Sequence, residues 1–191
     1  MSNISFPIIE FLNTYAPIEE EVKKEIISAL KFESIKKGET LIKKNRVSNR
    51  IYFLNSGVVR SFFYKEDKDI TYWIYAPNQM LTSWNSFINQ TPASDEFEAT
   101  DDSELCSLTH EQWYNLCDTH PSLNMIYRKI LETEMANIDE FYKGYYFMTA
   151  KEKYDLLLTV FPEITQIANL KHIASMMGIS QETLSRIRGM K

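Results

Sequence analysis

Cysteine is scarce in this chain. Cys106 and Cys117 are the only two, and ten residues between them rule out a CxxC pair. Such usage predicts neither a disulfide framework nor a zinc site, so ordinary packing is expected for both. Histidine is equally sparse: His110, His120 and His172 share no metal-ligand spacing. No histidine precedes His110, which argues against a cupin-like metalloenzyme in the strand-rich part. No nucleophile elbow or phosphate-binding glycine loop appears, so no enzymatic role and no cofactor are expected. No apolar run approaches the roughly 20 residues of a membrane span, and Met1 to Tyr15 lacks the pattern of a signal peptide. The expectation is a cytoplasmic protein with no membrane partner.

What is present is a chain of 191 residues, 44% of them hydrophobic, enough for a well-formed core. The net charge of -5 is unevenly spread. Residues 151–191 hold six basic and four acidic side chains, whereas residues 1–150 hold 15 basic and 22 acidic ones. A DNA-binding surface needs local positive charge, not a basic protein. The split suits a small reading end on an acidic body.

Residues 3–30 read as one or two short helices, with Pro17-Ile18-Glu19-Glu20-Glu21 as a helix start and Val22, Ile26, Ile27 and Leu30 on one face. After Phe32 the pattern becomes short β-prone runs separated by turn signals at Lys37-Gly38, 55–57 and 65–68. These runs cover 40–42, 51–54, 58–64, 70–75, 96–99 and 105–108. They predict a compact antiparallel sandwich or barrel. From His110 the period is helical again. A short helix over 111–117 leads to a long one from about Pro121 to Tyr146. On it Leu131, Met135, Ile138, Tyr142 and Tyr145 are spaced 4, 3, 4, 3, a short coiled-coil seam and a candidate dimer interface. Thr149-Ala150 starts the next helix, which Phe161-Pro162 stops.

The tail carries the most specific pattern. Ile173, Ala174 and Met177 give one helix an apolar face, and Ala174 is small where two helices must cross. Gly178 stands four residues on, at a turn that needs a left-handed backbone. Ile179 plugs the core, Ser180 caps a second helix, and Leu184 and Ile187 face inward. Gln181, Glu182, Ser185, Arg186 and Arg188 are left facing outward. This is the register of a helix-turn-helix, whose second helix enters the major groove of double-stranded DNA. Gln can read adenine, Glu can accept from cytosine, and Arg can clasp guanine or hold phosphate. Lys171 and His172 are candidates for backbone phosphate.

The segment Gly178-Ile179-Ser180-Gln181-Glu182-Thr183-Leu184-Ser185-Arg186-Ile187 resembles the recognition helix of the cyclic-AMP receptor protein/FNR family. Ile51-Tyr52-Phe53-Leu54-Asn55-Ser56-Gly57-Val58-Val59-Arg60 resembles that family's β-roll hallmark. Asp101 to Leu108 fits a later strand, and Trp113 to Pro121 fits the hinge before the dimer helix. The resemblance implies an α+β chain in three parts. These are a β-roll (jelly-roll) sensor with N-terminal helices over 1–120, a dimerisation helix over 121–148, and a helix-turn-helix domain over 149–191. It implies a homodimer acting as a transcription regulator, with Glu182 and Arg186 as base readers, RNA polymerase as a further candidate partner, and a small-molecule effector still to be identified. Gln181 replaces a common Arg and predicts a different operator. Only Gly189, Met190 and Lys191 follow the recognition helix, so a truncated or absent wing is expected. The sensor departs further. Across 80–95 there is no Gly-Glu pair, and no Arg or Lys occurs from 70 to 122. The adenine-contacting pair of the dimer helix falls on Ile138-Asp139. These departures predict a member without the cyclic-nucleotide phosphate-binding motif and without cyclic-AMP binding. Two distant cysteines also exclude the iron-sulfur cluster of the FNR branch. Trp73, Trp84 and Tyr127 are the candidates for lining an effector cavity. The alternative function is a β-roll sensing or protein-interaction module that has lost DNA binding.

Overall fold

The computed structural model describes residues 6–189, with the side chains of 140, 141, 143, 144 and 160 left aside. Two helices open the chain, α1 (Pro7–Asn13) and α2 (Glu20–Ala29). Pro7 occupies the first turn of α1. Pro17 lies ahead of α2, whose N-cap is Glu19, so the helix begins three residues later than its proline suggests.

Eight strands follow among the described residues: β1 (Lys31–Ile35), β2 (Thr40–Ile42), β3 (Arg50–Ser56), β4 (Val59–Lys65), β5 (Lys68–Tyr75), β6 (Gln79–Leu81), β7 (Glu96–Ala99) and β8 (Ser103–Thr109). They form two antiparallel four-stranded sheets, ordered β1-β8-β3-β6 and β2-β7-β4-β5. A short helix, α3 (Trp84–Asn89), interrupts the strands. The architecture is α+β, with an N-terminal β-roll, a long helix and a C-terminal helical region.

Alternation explains the apolar run in β3. Tyr52 and Leu54 point between the sheets, where they meet Ile42, Val59, Leu81, Phe97 and Leu105. Ile51 and Phe53 point the other way and are covered by helices through Leu12, Ile26, Trp113, Leu123 and Ile126. With both faces buried, β3 reads as continuous hydrophobic sequence. Cys106 and Cys117 are free and buried, and burial pushes their thiols up to about 11 and about 12. Neither is a ready nucleophile.

Gly57 is where the chain leaves the first sheet for the second. Its φ is +89°, and a Cβ there would overlap Ser103 and the carbonyl of Asp102. The β4–β5 turn is tight. Lys65 pairs with Lys68, and Glu66 and Asp67 both have positive φ, 50° and 59°. That is the I′-type geometry whose twist matches a hairpin.

Beyond the strands come α4 (His110–Thr119), the 25-residue α5 (Pro121–Tyr145), α6 (Ala150–Val160), the single turn α7 (Ile164–Ile167), α8 (Leu170–Met177) and α9 (Gln181–Gly189). Capping boxes start α4 (Thr109 with Gln112) and α6 (Thr149 with Glu152). A third core joins α6 to α9 to the roll. Tyr154, Ile164, Ile173, Ala174, Met177, Leu184 and Ile187 pack with Val58 and Ile74.

Gly57→Ala is expected to destabilise the fold by about 2–4 kcal/mol, from left-handed strain plus the overlap at Ser103. Urea denaturation followed by circular dichroism measures it.

Candidate nucleic-acid interface

Helix α8 is capped by Asn169, whose side chain accepts from the Lys171 N–H at 2.9 Å. It ends at Gly178, with φ 67° and ψ 30°. The Ile179 N–H then donates to the Ala174 carbonyl at 3.0 Å, closing the turn. Ser180 Oγ accepts from the Thr183 N–H at 3.1 Å and caps α9. Ala174, Leu184 and Ile187 are buried between the helices, and Ile179 packs at their margin.

Gln181, Glu182, Ser185, Arg186 and Arg188 are all exposed, and so is Ser180. Glu182 lies in the first turn of α9, where its own backbone N–H and then the Ser180 hydroxyl hold its carboxyl below the usual carboxylate range. It is ionised at neutral pH, ready to accept a hydrogen bond. Arg186 and Arg188 lie in the last turn. The face therefore presents an acceptor at one end and cations at the other.

The two residues expected on phosphate separate. Lys171 is exposed. His172 is half-buried and turned toward the β-roll, its Nδ1 3.4 Å from Thr71 Oγ1. Its pKa is lowered, first by burial and then by the nearby Arg60 cation. Arg60, on β4, is 4% exposed. It grips Asp69 with both terminal nitrogens at 2.7 Å, donates to Thr71 Oγ1 at 3.0 Å, and reaches Glu98 at 3.3 Å. Burial opposes its charge, but Asp69 and then Glu98 outweigh that. The Thr71 N–H donates to Ser175 Oγ of α8 at 2.9 Å. Periodicity along the chain held no trace of this contact, because its partners lie about a hundred residues apart.

On α5, Leu131 is half-buried against the first core. Met135, Ile138 and Tyr142 are 74%, 54% and 63% exposed. Tyr145 leans toward the C-terminal helices, its hydroxyl donating to the Met176 carbonyl at 3.3 Å and its ring 4.1 Å from Lys153 Nζ. Tyr146 and Phe147, which the heptad spacing passes over, are strongly exposed as well.

The candidate effector residues do not share one lining. Tyr127 is buried in the first core, edge-on to Trp113 at 5.3 Å. Trp73 lies edge-on to Phe161 at 6.4 Å. Trp84 does line a cleft, of about 640 Å³, with Phe63, Tyr64, Tyr72, Tyr75 and Asp95. The Asp95 carboxylate accepts from the hydroxyls of Tyr72 at 2.5 Å and Ser83 at 2.6 Å. Lys44 lines the same cleft from the loop between β2 and β3. Among the described residues no cluster of metal-ligating side chains occurs, and no helix is long and apolar enough to cross a membrane. His110 packs on Phe87 and Tyr114, and His120 pairs with Glu25.

Residues 32–120 match the family model described as cyclic nucleotide-binding domain. No curated protein sequence matches the chain. Among solved structures, the chain is similar to FixK2 from Bradyrhizobium japonicum (TM-score 0.67, 14% identity, 84% of this chain and 83% of that one). It is also similar to a CooA mutant from Carboxydothermus hydrogenoformans (0.66, 18%, 95% and 82%). A third is the catabolite activator protein of Thermus thermophilus (0.60, 18%, 94% and 85%). At these identities the likeness is one of fold.

The domain match overturns the expectation of a member lacking the cyclic-nucleotide phosphate-binding motif, because 80–95 lies inside the matched segment. One of the two grounds against cyclic-AMP binding goes with it; the other, the Ile138-Asp139 pair, lies outside the matched segment. The physical reason is visible in the cleft. The stretch without Arg or Lys covers only 70–122, whereas the sheet brings Lys44 to the same cleft from a distant loop.

Arg60→Leu strands Asp69 and Glu98 beside an apolar side chain. The expected loss is about 2–3 kcal/mol, below the figure for a fully buried pair because Asp69 is partly solvated. Urea titration checks it, and Asp69→Asn in the same background should recover part of the loss.

Proposed function

We propose that this chain is a transcription regulator of the Crp/Fnr type, a homodimer that reads double-stranded DNA with α9. The observation that carries this reading is the outer face of α9. Gln181, Glu182, Ser185, Arg186 and Arg188 are exposed together on a helix whose other face is locked to α8 across a left-handed glycine turn. In the proposed complex Gln181 and Glu182, near the N-terminus of α9, meet base edges. Arg186 clasps a guanine or a phosphate, and Ser185, Arg188, Ser180 and Lys171 add polar and backbone contacts. His172 is left out of this set, because it faces the β-roll.

The division of labour follows the three parts: a sensor over 1–120, a dimer helix over 121–148 and a reading head over 149–191. The exposed row Met135, Ile138 and Tyr142 on α5 supports pairing with a second copy, since a solvated apolar stripe on a long helix gains most by meeting its own equivalent. Leu131 and Tyr145 flank that row. Two recognition helices related by a two-fold axis call for an inverted-repeat operator with half-sites about 34 Å apart. The cleft beside Trp84 is the place for a small-molecule effector, and RNA polymerase is the partner an activator of this kind would engage. The acidic body favours the second reading, a β-roll interaction module without DNA affinity. The two separate on salt: phosphate contacts make log affinity fall steeply with log salt concentration.

Selection of bound sequences from a random DNA pool is expected to enrich a palindrome with the intact chain. Arg186→Ala should weaken that operator by about 1–3 kcal/mol and relax one position of each half-site. No enrichment by a confirmed dimer at low salt would leave either a missing effector or the second reading, a β-roll without DNA affinity. Met135→Glu with Ile138→Glu should convert the dimer to monomer in sedimentation velocity, because four carboxylates would face one another across the axis. A dimer surviving both changes would place the interface elsewhere.

A further inference from the structure

β5 is the outermost strand of its sheet. The outward N–H and C=O groups of such a strand need a cover. Helix α8 supplies it. Ser175 accepts the Thr71 N–H at 2.9 Å, and His172 stands one turn earlier, beside the Thr71 hydroxyl. Behind Thr71 lies the Arg60–Asp69 pair, itself tied to Glu98 on β7. Ile74 and Val58 extend the seam into the core shared with Ile173, Ala174 and Met177. Trp73 meets Phe161 at its far end. A polar chain thus runs from β7 through β4 and β5 to the first helix of the helix-turn-helix, and it leaves the outer face of α9 open.

We propose that this seam, closed by Ser175, His172, Thr71 and the Arg60–Asp69 pair, is the positioning joint of the reading head, and that protonation of His172 opens it. The seam does not cover α9. It fixes where α9 stands relative to the sensor sheet, and so how far apart two such helices lie in a dimer. The use of the joint rests on the DNA reading proposed above; its existence and its opening do not.

The charged groups facing His172 are Arg60 from β4, Asp69 from β5, Glu98 from β7 and Lys171 on its own helix. Burial and the Arg60 cation favour the neutral ring, and Asp69 and Glu98 only partly offset them. The sign follows. A group held below its ordinary value of 6.5 adds nothing to opening above that pH, and closure is lost as pH falls from 6.5 through the lowered value.

Amide hydrogen exchange of the whole chain, without DNA, tests the joint at about pH 8 and about pH 5. After correction for the intrinsic pH dependence of exchange, residues 69–75 and 170–177 should exchange roughly fivefold faster at the lower pH, with β3 and β8 unchanged. Ser175→Ala should speed the same two segments at both pH values. His172→Gln should keep a hydrogen-bonding side chain and abolish the difference between the two conditions. Persistence of that difference in His172→Gln would overturn the role of His172. Unaltered exchange in Ser175→Ala, or equal loss of protection in β3 and β8, would overturn the joint. Failure to enrich any DNA removes the use of the joint and leaves its existence and its opening standing.

Discussion

The free edge of β5 is the constraint from which the arrangement of this molecule follows. A sheet of four strands ends somewhere, and an uncovered edge invites pairing with another chain. Here helix α8 is the cover, so β5 meets three demands at once. It pairs with β4 through the Lys65–Lys68 turn, sends Ile74 into the C-terminal core, and presents Thr71 to α8. Residues 71 and 74 fall on opposite faces of a regular strand. The ladder is not regular: Ser61 faces Trp73 but Phe62 faces Thr71, so Tyr72 is an extra residue. Such a bulge resets the alternation, and both residues can reach the same helices.

Arg60 makes that seam specific. A guanidinium almost closed off from water is costly unless it is paired; both terminal nitrogens of Arg60 are met, its buried Nε is not, and replacing such a network by apolar side chains can leave stability unchanged. What an apolar pad lacks is direction. Leu or Met in place of Arg60 and Asp69 would leave the polar contact of α8 with the strand edge without a directional partner. The fork of Arg60 on Asp69, with Thr71 hydrogen-bonded to the same nitrogen, admits one placement of the strand edge and hence of Ser175 and His172. On the proposed DNA reading, where α9 must meet its target at a fixed spacing, one placement matters more than extra stability.

Much of this was legible along the chain where short-range rules decide. Gly178 and Ser180 announce the turn and cap because left-handed backbone and capping hydroxyls are local requirements. The aromatic and β-branched runs announce β3, whose two faces are both buried, and also β4 and β5, which are rich in residues that suit a pleated, half-buried surface. β1 was not legible: Lys31, Glu33 and Ser34 are solvated or hydrogen-bonded outward, and its place is set by pairing with β8. β6 is only three residues long. α3 was hidden because Ser83 caps it without a side-chain hydrogen bond and Trp84 reads as a ligand contact. The cleft misled for a related reason. Lys44 and Asp95 lie far apart in sequence, and only the pairing of β2 with β7 draws their loops together. His172 carried a local signal for phosphate, a cationic-capable residue at a helix start, but burial against β5 overrides it.

The cleft and the seam use opposite sides of one hairpin. Phe63, Tyr64, Tyr72 and Tyr75 line the cleft, and Tyr72 ties it to Asp95. Thr71, the next residue, holds α8. An occupant of the cleft therefore acts on β5 one peptide away from the joint. Adjacency alone does not couple two sites. An occupant shifts the head only to the extent that it binds the closed and open seams with different affinity. Tyr72 is the residue positioned to create that difference. It is the extra residue of the bulge, so moving its ring to accommodate a ligand changes the twist that brings Thr71 to Ser175. A bulge leaves one residue unpaired and raises the local twist, so the ladder is interrupted at Tyr72. The irregularity that lets β5 satisfy both its sheet and its cover is thus also the place where a signal from the cleft would enter.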